Sequence, residues 1–185
     1  MEIFSAFGLS ASAGLNAYLP LLIVAICGRL NLIKLHAPFD ALSSWWAIGA
    51  LVALLLVETL VDKIPAVDTI NNVINTIIRP AAGAVLFAAS ANVVTDLSPV
   101  ISIVLGIVVA GSVHAVKTVA RPVVTAATAG VGNPVVSVVE DVVAGITSLL
   151  AVLLPGLVML VGVTGIVGFL WWRLRRIQQQ TSPQL

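Results

Sequence analysis

The stretch that decides the fold is residues 142–172, VVAGITSLLAVLLPGLVMLVGVTGIVGFLWW, which contains no charged residue in 31 positions. A membrane-spanning helix needs about 20 apolar residues, so this run is too long for one span and too short for two spans with a turn. Pro155-Gly156 divides the run near its middle. If the first helix begins near Pro134, two spanning helices fit, Pro134–Leu154 and Gly156–Trp172. The stretch therefore predicts a pair of adjacent membrane helices.

The composition of the whole chain supports an integral membrane protein. Of its 185 residues, 59% are hydrophobic and 9% are charged, against about 25% charged residues in a typical soluble domain. So few charges cannot cover the surface of a soluble protein. A soluble enzyme, a nucleic-acid-binding protein and a disordered chain are therefore excluded. The net charge of +1 indicates no polyanionic partner, and the single Cys27 cannot form an intrachain disulfide.

The spacing of the charges predicts four further spanning helices. They are Ile3–Gly28 (interrupted by Gly14, Asn16 and Pro20), Ala41–Val61, Pro80–Thr95 and Ser98–Val116. Two segments between them are too short or too polar to span alone, and are predicted as amphipathic or re-entrant helices. These are Pro65–Ile78, which ends at Arg79-Pro80, and Val119–Gly132, which Pro122 interrupts. The prediction is an all-α integral membrane protein with six transmembrane helices and two short helices.

The basic residues predict the orientation of this single transmembrane domain, which covers residues 1–176 and precedes a polar tail over residues 177–185. Seven of the nine basic residues fall on the side of the tail, and only Arg29 and Lys34 fall opposite. Basic residues favour the cytoplasmic side, so both termini are predicted to be cytoplasmic in a bacterial inner membrane. When the sequence is aligned with itself so that Pro65 matches Pro122, the order of a span, a short helix and a second span occurs twice. This pattern predicts an internal repeat of a kind common in transporters.

Glu140 and Asp141 are the strongest candidates for a functional site. The helix that begins near Pro134 places both carboxylates inside the membrane-embedded part, where an ionisable group costs about 2.5–3.5 kcal/mol on insertion scales. Such groups bind cations, relay protons or pair with other charges. In the alternative interpretation the helix begins later, and both carboxylates lie in a solvated turn.

Arg79-Pro80 and Arg121-Pro122 are predicted to supply the counter-charges. Each places a permanent cation beside a proline that suits the start of a helix, where unpaired amides favour anions. The functional interpretation is an anion-binding or carboxylate-pairing position. The alternative is an interfacial anchor on the cytoplasmic side.

Asn16 is a candidate for the lining of a polar pathway, because Gly14 and Pro20 interrupt the helix around it and free backbone carbonyls. The Gly132-Asn133-Pro134 segment has a similar arrangement, which makes Asn133 a second candidate. The alternative for Asn16 is a kink used for packing, with its side chain bonded to a neighbouring helix.

A gate or salt-bridge group is predicted at the cytoplasmic ends of two helices. Glu58 and Asp62 lie on one helix face, one turn apart, beside Lys63. His114 and Lys117 end another span, and His114 has the chemistry of a proton-responsive switch. The alternatives are an interfacial cluster that only fixes topology and a histidine that only satisfies a hydrogen bond. No enzyme motif is present, and two histidines and one cysteine do not predict a metal site, so we expect neither catalysis nor a cofactor.

Several short motifs together resemble a family of small bacterial inner-membrane proteins known only as a domain of unknown function. The motifs are Gly14-Leu15-Asn16-Ala17-Tyr18-Leu19-Pro20, Asp62-Lys63-Ile64-Pro65-x-x-Asp68, Arg79-Pro80, Arg121-Pro122 and Gly132-Asn133-Pro134 with Glu140-Asp141. The resemblance implies a membrane protein and carries no substrate or catalytic role.

The sequence therefore predicts a small polytopic transporter or channel for an ion or small solute. We expect it to work in the lipid bilayer as a homo-oligomer, without a nucleic-acid partner. The alternative is a non-transporting membrane factor, such as a lipid-handling or scaffold protein, whose buried charges are structural.

Overall fold

The computed structural model describes residues 3–61, 65–91 and 97–181, and for residues 65–72, 91, 158–159 and 177–181 it describes the backbone alone. Across these ranges the chain is helical and contains no β-strand. The helices are α1 (Ile3–Leu15), α2 (Tyr18–Arg29), a 3-10 helix (Phe39–Ser43), α3 (Trp45–Val61), α4 (Pro65–Ala91), α5 (Pro99–Thr128), α6 (Asn133–Leu153) and α7 (Pro155–Thr181).

Four helices in the described ranges are long and apolar enough to cross a membrane. They are α4, through Val73–Ser90, then α5, α6, and α7 through Pro155–Arg176. Helices α1, α2 and α3 are apolar but shorter, with 13, 12 and 17 residues. The chain is therefore an all-helical membrane protein, as predicted, whereas the count of six spanning helices is not confirmed.

The division of the longest uncharged run is confirmed. Helix α6 ends at Leu153 and α7 begins at Pro155, within a residue of the predicted boundary. The start of α6 at Asn133 places Glu140 and Asp141 two turns inside the helix, so the interpretation with both carboxylates in a turn is wrong. Helix α7 continues into the predicted polar tail as far as Thr181, because glutamine and arginine are good helix formers.

Two predicted helix breaks are wrong. Helix α4 continues through Arg79-Pro80, and α5 continues through Pro122, so Pro65–Ile78 and Val119–Gly132 are not separate short helices. A proline removes one helical hydrogen bond, whereas ending the helix in an apolar environment exposes several backbone groups. The internal repeat that aligned Pro65 with Pro122 depended on those short helices and is not confirmed.

Helix α1 runs antiparallel to α4 and begins at the end of the bundle where α4 ends. The Phe7 ring packs edge-on against Phe87 with 5.0 Å between the ring centroids. Further along α1, the Ser10 hydroxyl donates to the Gly83 carbonyl at 2.9 Å. The contacts therefore move towards the start of α4 as α1 proceeds.

Helix α2 then returns to the end of the bundle from which α1 came. Helix α1 passes α6 in the direction of decreasing residue number, because Ser5 and Ser12 donate to the carbonyls of Ala151 and Ala144. Asn16 contacts Asp141, and Leu19 in the first turn of α2 lies against Gly145, so α2 runs back along α6. Arg29, the last residue of α2, stacks on the Trp45 ring at 4.9 Å. Helices α1 and α2 thus form a helical hairpin with its tip at residues 16–17, and the prediction that Ile3–Gly28 makes a single span is not confirmed.

Small residues allow α1, α4 and α5 to pack closely against one another. A side chain on Gly14 would collide with the Ala110 carbonyl and Val113 on α5. A side chain on Gly106 would collide with the backbone of Gly83 and Ala84 on α4. Close approach at glycine is the usual basis of helix association in membranes. It brings the tip of the hairpin within reach of the charged side chains of α5 and α6.

Candidate functional site

Asn16 organises the tip of the hairpin. Its side-chain oxygen accepts hydrogen bonds from the N–H groups of Tyr18 and Leu19 at 3.1 and 3.0 Å, which caps the start of α2. Its side-chain nitrogen donates to Asp141 of α6 at 2.8 Å. Asn16 is buried, so the two ends of one amide group define the turn and attach it to α6.

The C-terminal end of α1, on the other side of the turn at residues 16–17, is also bound by a charged group. The ammonium of Lys117 on α5 donates to the Leu15 carbonyl at the end of α1, at 3.0 Å. A cation at a helix C-terminus and a carboxylate near a helix N-terminus both complement the helix dipoles. Lys117 and Asp141 therefore hold the two helix ends that meet at the tip.

Lys117, Arg121 and Glu140 form a group that we name the Glu140 cluster. One carboxylate oxygen, Oε2, lies 2.8 Å from the Lys117 ammonium and 3.0 Å from the Arg121 guanidinium. Arg121 also donates to the Ser137 hydroxyl at 2.6 Å. The side chains of Lys117, Arg121 and Glu140 are 3%, 8% and 14% exposed. A single carboxylate oxygen thus holds two cations inside the bundle.

Glu58, Asn75 and Arg79 form a second group, the Glu58 cluster. One oxygen of Glu58 accepts from Arg79 at 3.0 Å and from Asn75 at 3.2 Å. The side chains of Arg79 and Glu58 are only 1% and 2% exposed. Among the described contacts, this oxygen accepts from one cation and one neutral amide, and both charged side chains are buried.

His114 connects the Glu58 cluster to α5. Its Nδ1 lies 3.3 Å from an Arg79 nitrogen, and its Nε2 lies 3.2 Å from the Thr76 hydroxyl. A guanidinium only donates hydrogen bonds, so Nδ1 must accept. The contact therefore fits a neutral imidazole with its proton on Nε2.

The structure brings together most of the predicted site residues. Some of the charged pairs differ from the predicted ones. Arg121 pairs with Glu140 as predicted, whereas Arg79 pairs with Glu58 and is buried, so its interpretation as an interfacial anchor is wrong. Asn133 bonds to Thr125, whose hydroxyl also lies 3.0 Å from the Arg121 carbonyl, so Asn133 lies beside the Glu140 cluster without contacting Glu140 in the described contacts. Asp62 and Lys63, predicted to form a gate with Glu58, lie outside the described residues.

Two members of these groups, Asn75 and Ser137, were not predicted from the sequence, although a signal for Asn75 is present. The segments NTIIRP, from position 75 to 80, and KTVARP, from position 117 to 122, share the pattern x-Thr-x-x-Arg-Pro. Its first position lies one turn before the arginine and therefore on the same helix face. In both copies the residues at these two positions bind one glutamate. The copies differ in that Lys117 replaces the neutral Asn75.

The described residues contain no group of three His, Cys, Asp or Glu side chains suited to hold a metal ion. The chemistry available among them comes from paired charges, hydrogen bonds and the helix ends at the tip.

A protein-family model matches residues 3–176 of the chain, and its description is a domain of unknown function (DUF4126). No curated protein and no solved structure matches the chain. The match covers nearly the whole sequence, so the chain belongs to the DUF4126 family, in agreement with the resemblance drawn from its motifs.

Proposed function

We propose that this member of the DUF4126 family is a small polytopic transporter or channel, which moves an ion or small solute past the tip of the α1–α2 hairpin. The observation that carries the proposal is the position of the tip between Lys117 and Asp141. Helix ends that meet inside a bundle bind solutes and coupling ions in many transporters. Lys117 and Asp141 are ionisable, and an ionisable side chain is costly to place inside a membrane.

The cost of the buried charges supports a functional role. The charged residues of both clusters lie within apolar helices; they are Glu58, Arg79, Lys117, Arg121 and Glu140. A buried ion pair is often no more stabilising than apolar residues of the same size. Charged residues inside membrane proteins are therefore typical of ion and solute pathways. The alternative, a non-transporting membrane factor, is favoured only by the complete burial of the Glu58 cluster, which fits a structural role there.

The fold supports a topology with five crossings, α3 to α7, and a re-entrant hairpin. In this proposal the basic residues at the end of α7 lie on the cytoplasmic side of a bacterial inner membrane. The N-terminus then lies on the opposite side, in place of the expectation that both termini are cytoplasmic.

The surface of α7 supports a homo-oligomer. Four of its glycines, at positions 156, 162, 165 and 168, have no other described part of the chain within 4 Å of the place where a side chain would begin. Small residues favour helix association in lipid. In the proposed oligomer the face of α7 that carries Gly162, Gly165 and Gly168, spaced three residues apart, packs against a second copy of the chain.

The test is a flux measurement on the full chain reconstituted in liposomes, with a panel of ions, protons and small solutes. We expect flux above that of protein-free vesicles, and its loss in the double variant Glu140→Gln/Asp141→Asn. Asp40→Asn is the matched control, because it removes one negative charge from the 3-10 helix, away from the tip. Absence of flux for every solute, with correctly folded protein in the vesicles, would contradict transport.

A further inference from the structure

We propose that the end of α7 binds an anionic phospholipid of the surrounding membrane. Arg175 and Arg176 hold the headgroup phosphate, and the tryptophan one turn before each arginine orients it. The four residues Trp171, Trp172, Arg175 and Arg176 are named the α7 lipid site. The inference goes beyond the proposed function, because this site needs neither transport nor the oligomer in order to bind a lipid.

The two arginines stack on two tryptophans of the same helix. The guanidinium carbon of Arg175 lies 3.8 Å from the centroid of the Trp171 ring, and that of Arg176 lies 4.3 Å from the centroid of Trp172. Each pair is four residues apart, which places its members on one face of the helix. A guanidinium that lies on a ring uses its flat face for the contact, so the N–H groups around its edge stay available to an acceptor. The rings therefore orient two sets of donors at the end of α7.

The positive charge at this end of α7 has no acidic partner in the described part of the chain. The ion pairs in that part belong to Arg79, Lys117 and Arg121. The sequence contains no aspartate or glutamate after Asp141, and Arg173 adds a third cation beside the stacked pairs. Arginine binds phosphate through two parallel hydrogen bonds. This concentration of charge therefore fits a phosphate group supplied from outside the chain.

The position of the site along α7 identifies the source of the phosphate as a lipid headgroup. None of the described residues in the apolar span Pro155–Arg176 is buried, so α7 faces lipid. The helix rises about 24 Å from Pro155 to Trp171, close to the thickness of an apolar core of about 30 Å. Trp171 and Trp172, which are 56% and 46% exposed, thus lie at the boundary where tryptophan is enriched. One turn further, the arginines lie at the depth of the phosphates.

A third stacked pair provides a contrast. The guanidinium carbon of Arg29 lies 4.9 Å from the centroid of Trp45, and this contact joins the end of α2 to the start of α3. It therefore belongs to the packing of the fold. The two pairs of α7 are local to one helix and join no separate elements, so the packing of the fold does not account for them.

The test uses quenching of tryptophan fluorescence by brominated lipids, which identifies the lipid in contact with a ring. The full chain carries Trp45→Phe and Trp46→Phe, so that the signal comes from the two tryptophans of α7. It is reconstituted in phosphatidylcholine vesicles with equal fractions of either brominated phosphatidylglycerol or brominated phosphatidylcholine. We expect the anionic phosphatidylglycerol to be enriched at the rings about fivefold or more, since about fivefold is the factor that one arginine contributes near an anionic surface.

Three double variants in that background locate the site. Arg175→Gln/Arg176→Gln should remove the enrichment of phosphatidylglycerol. Arg29→Gln/Lys34→Gln is the matched control, because it removes the same charge at the opposite end of the molecule, and it should keep the enrichment. Arg175→Lys/Arg176→Lys keeps the charge without the planar donor groups, and should lower the enrichment by about half or more. The ratio of the two quenching signals is compared in each case, so that a change in the depth of the rings cancels.

Several outcomes would overturn the inference. They are equal quenching by the two lipids when both arginines are present, enrichment that survives in the glutamine variant, and full enrichment in the lysine variant, since charge alone would then suffice. Loss of the enrichment in millimolar inorganic phosphate, relative to chloride at matched ionic strength, would assign the arginines to a soluble anion instead. Absence of quenching by either lipid would show that a second copy of the chain covers the rings.

Discussion

Asn16 links the hairpin to α6 through the two ends of one amide. The oxygen accepts from the first N–H groups of α2, and the nitrogen donates to Asp141. An aspartate at position 16 keeps the acceptor and loses the donor, so Asn16→Asp places two carboxylates side by side in a buried position. We expect a lower unfolding temperature in detergent for this variant.

The exchange of the two residues provides the control for that prediction. In the double variant Asn16→Asp/Asp141→Asn, the amide at position 141 donates to the carboxylate at position 16, which still caps α2. We expect it to recover most of the stability lost in the single variant. A double variant no more stable than Asn16→Asp would show that the pair does not hold the tip.

Pairing of the charges was only partly predictable from the sequence. Arg121 and Glu140 lie on consecutive helices, so their contact follows from a simple antiparallel pair. Arg79 has the same Arg-Pro context as Arg121, and nothing local distinguishes which acid it meets. Its partner, Glu58, lies on the preceding helix α3, whereas the partner of Arg121 lies on the following helix α6. Identical motifs therefore found different partners through the arrangement of whole helices.

At the scale of elements, close contact between α4 and α5 depends on glycine. A methyl group on Gly106 would collide with backbone atoms of Gly83 and Ala84, which cannot move without shifting α4. Gly106→Ala should therefore lower the free energy of unfolding by about 1–3 kcal/mol. Gly49→Ala makes the same change on α3, where the added methyl group meets nothing described within 4 Å, and should be neutral or slightly stabilising. Equal stability of both variants in a denaturation series would contradict this packing.

The hairpin was the element hardest to predict. Its 26 uncharged residues between Glu2 and Arg29 fit the length of one span, and a kink and a reversal at Asn16 look alike in sequence. Partners distant in the chain decide between them. The hydroxyls of Ser10 and Ser12 bond to carbonyls of α4 and α6, and Arg29 returns to the start of α3. A hydropathy profile indicates the length of an apolar segment, but it does not indicate which distant residues that segment contacts.

The hairpin determines the topology of the whole molecule, which labelling can test. In a Cys27→Ala background, the single substitutions Ile3→Cys, Lys34→Cys and Val131→Cys are exposed to a membrane-impermeant maleimide in sealed vesicles. Positions 3 and 34 lie at the end of the bundle opposite to position 131, so we expect these two to label together and position 131 only from the other side. Labelling of position 3 together with position 131 would show that the first segment crosses the membrane.

The serine hydroxyls of α1 also have a consequence for the order in which the protein assembles during synthesis. Ser10, Ser12 and Ser5 donate to carbonyls of residues 83, 144 and 151, which leave the ribosome long after α1. Helix α1 therefore completes these contacts only after α4 and α6 have entered the bilayer. Until then these hydroxyls and the asparagine at the tip need temporary partners, such as interfacial water or the insertion machinery.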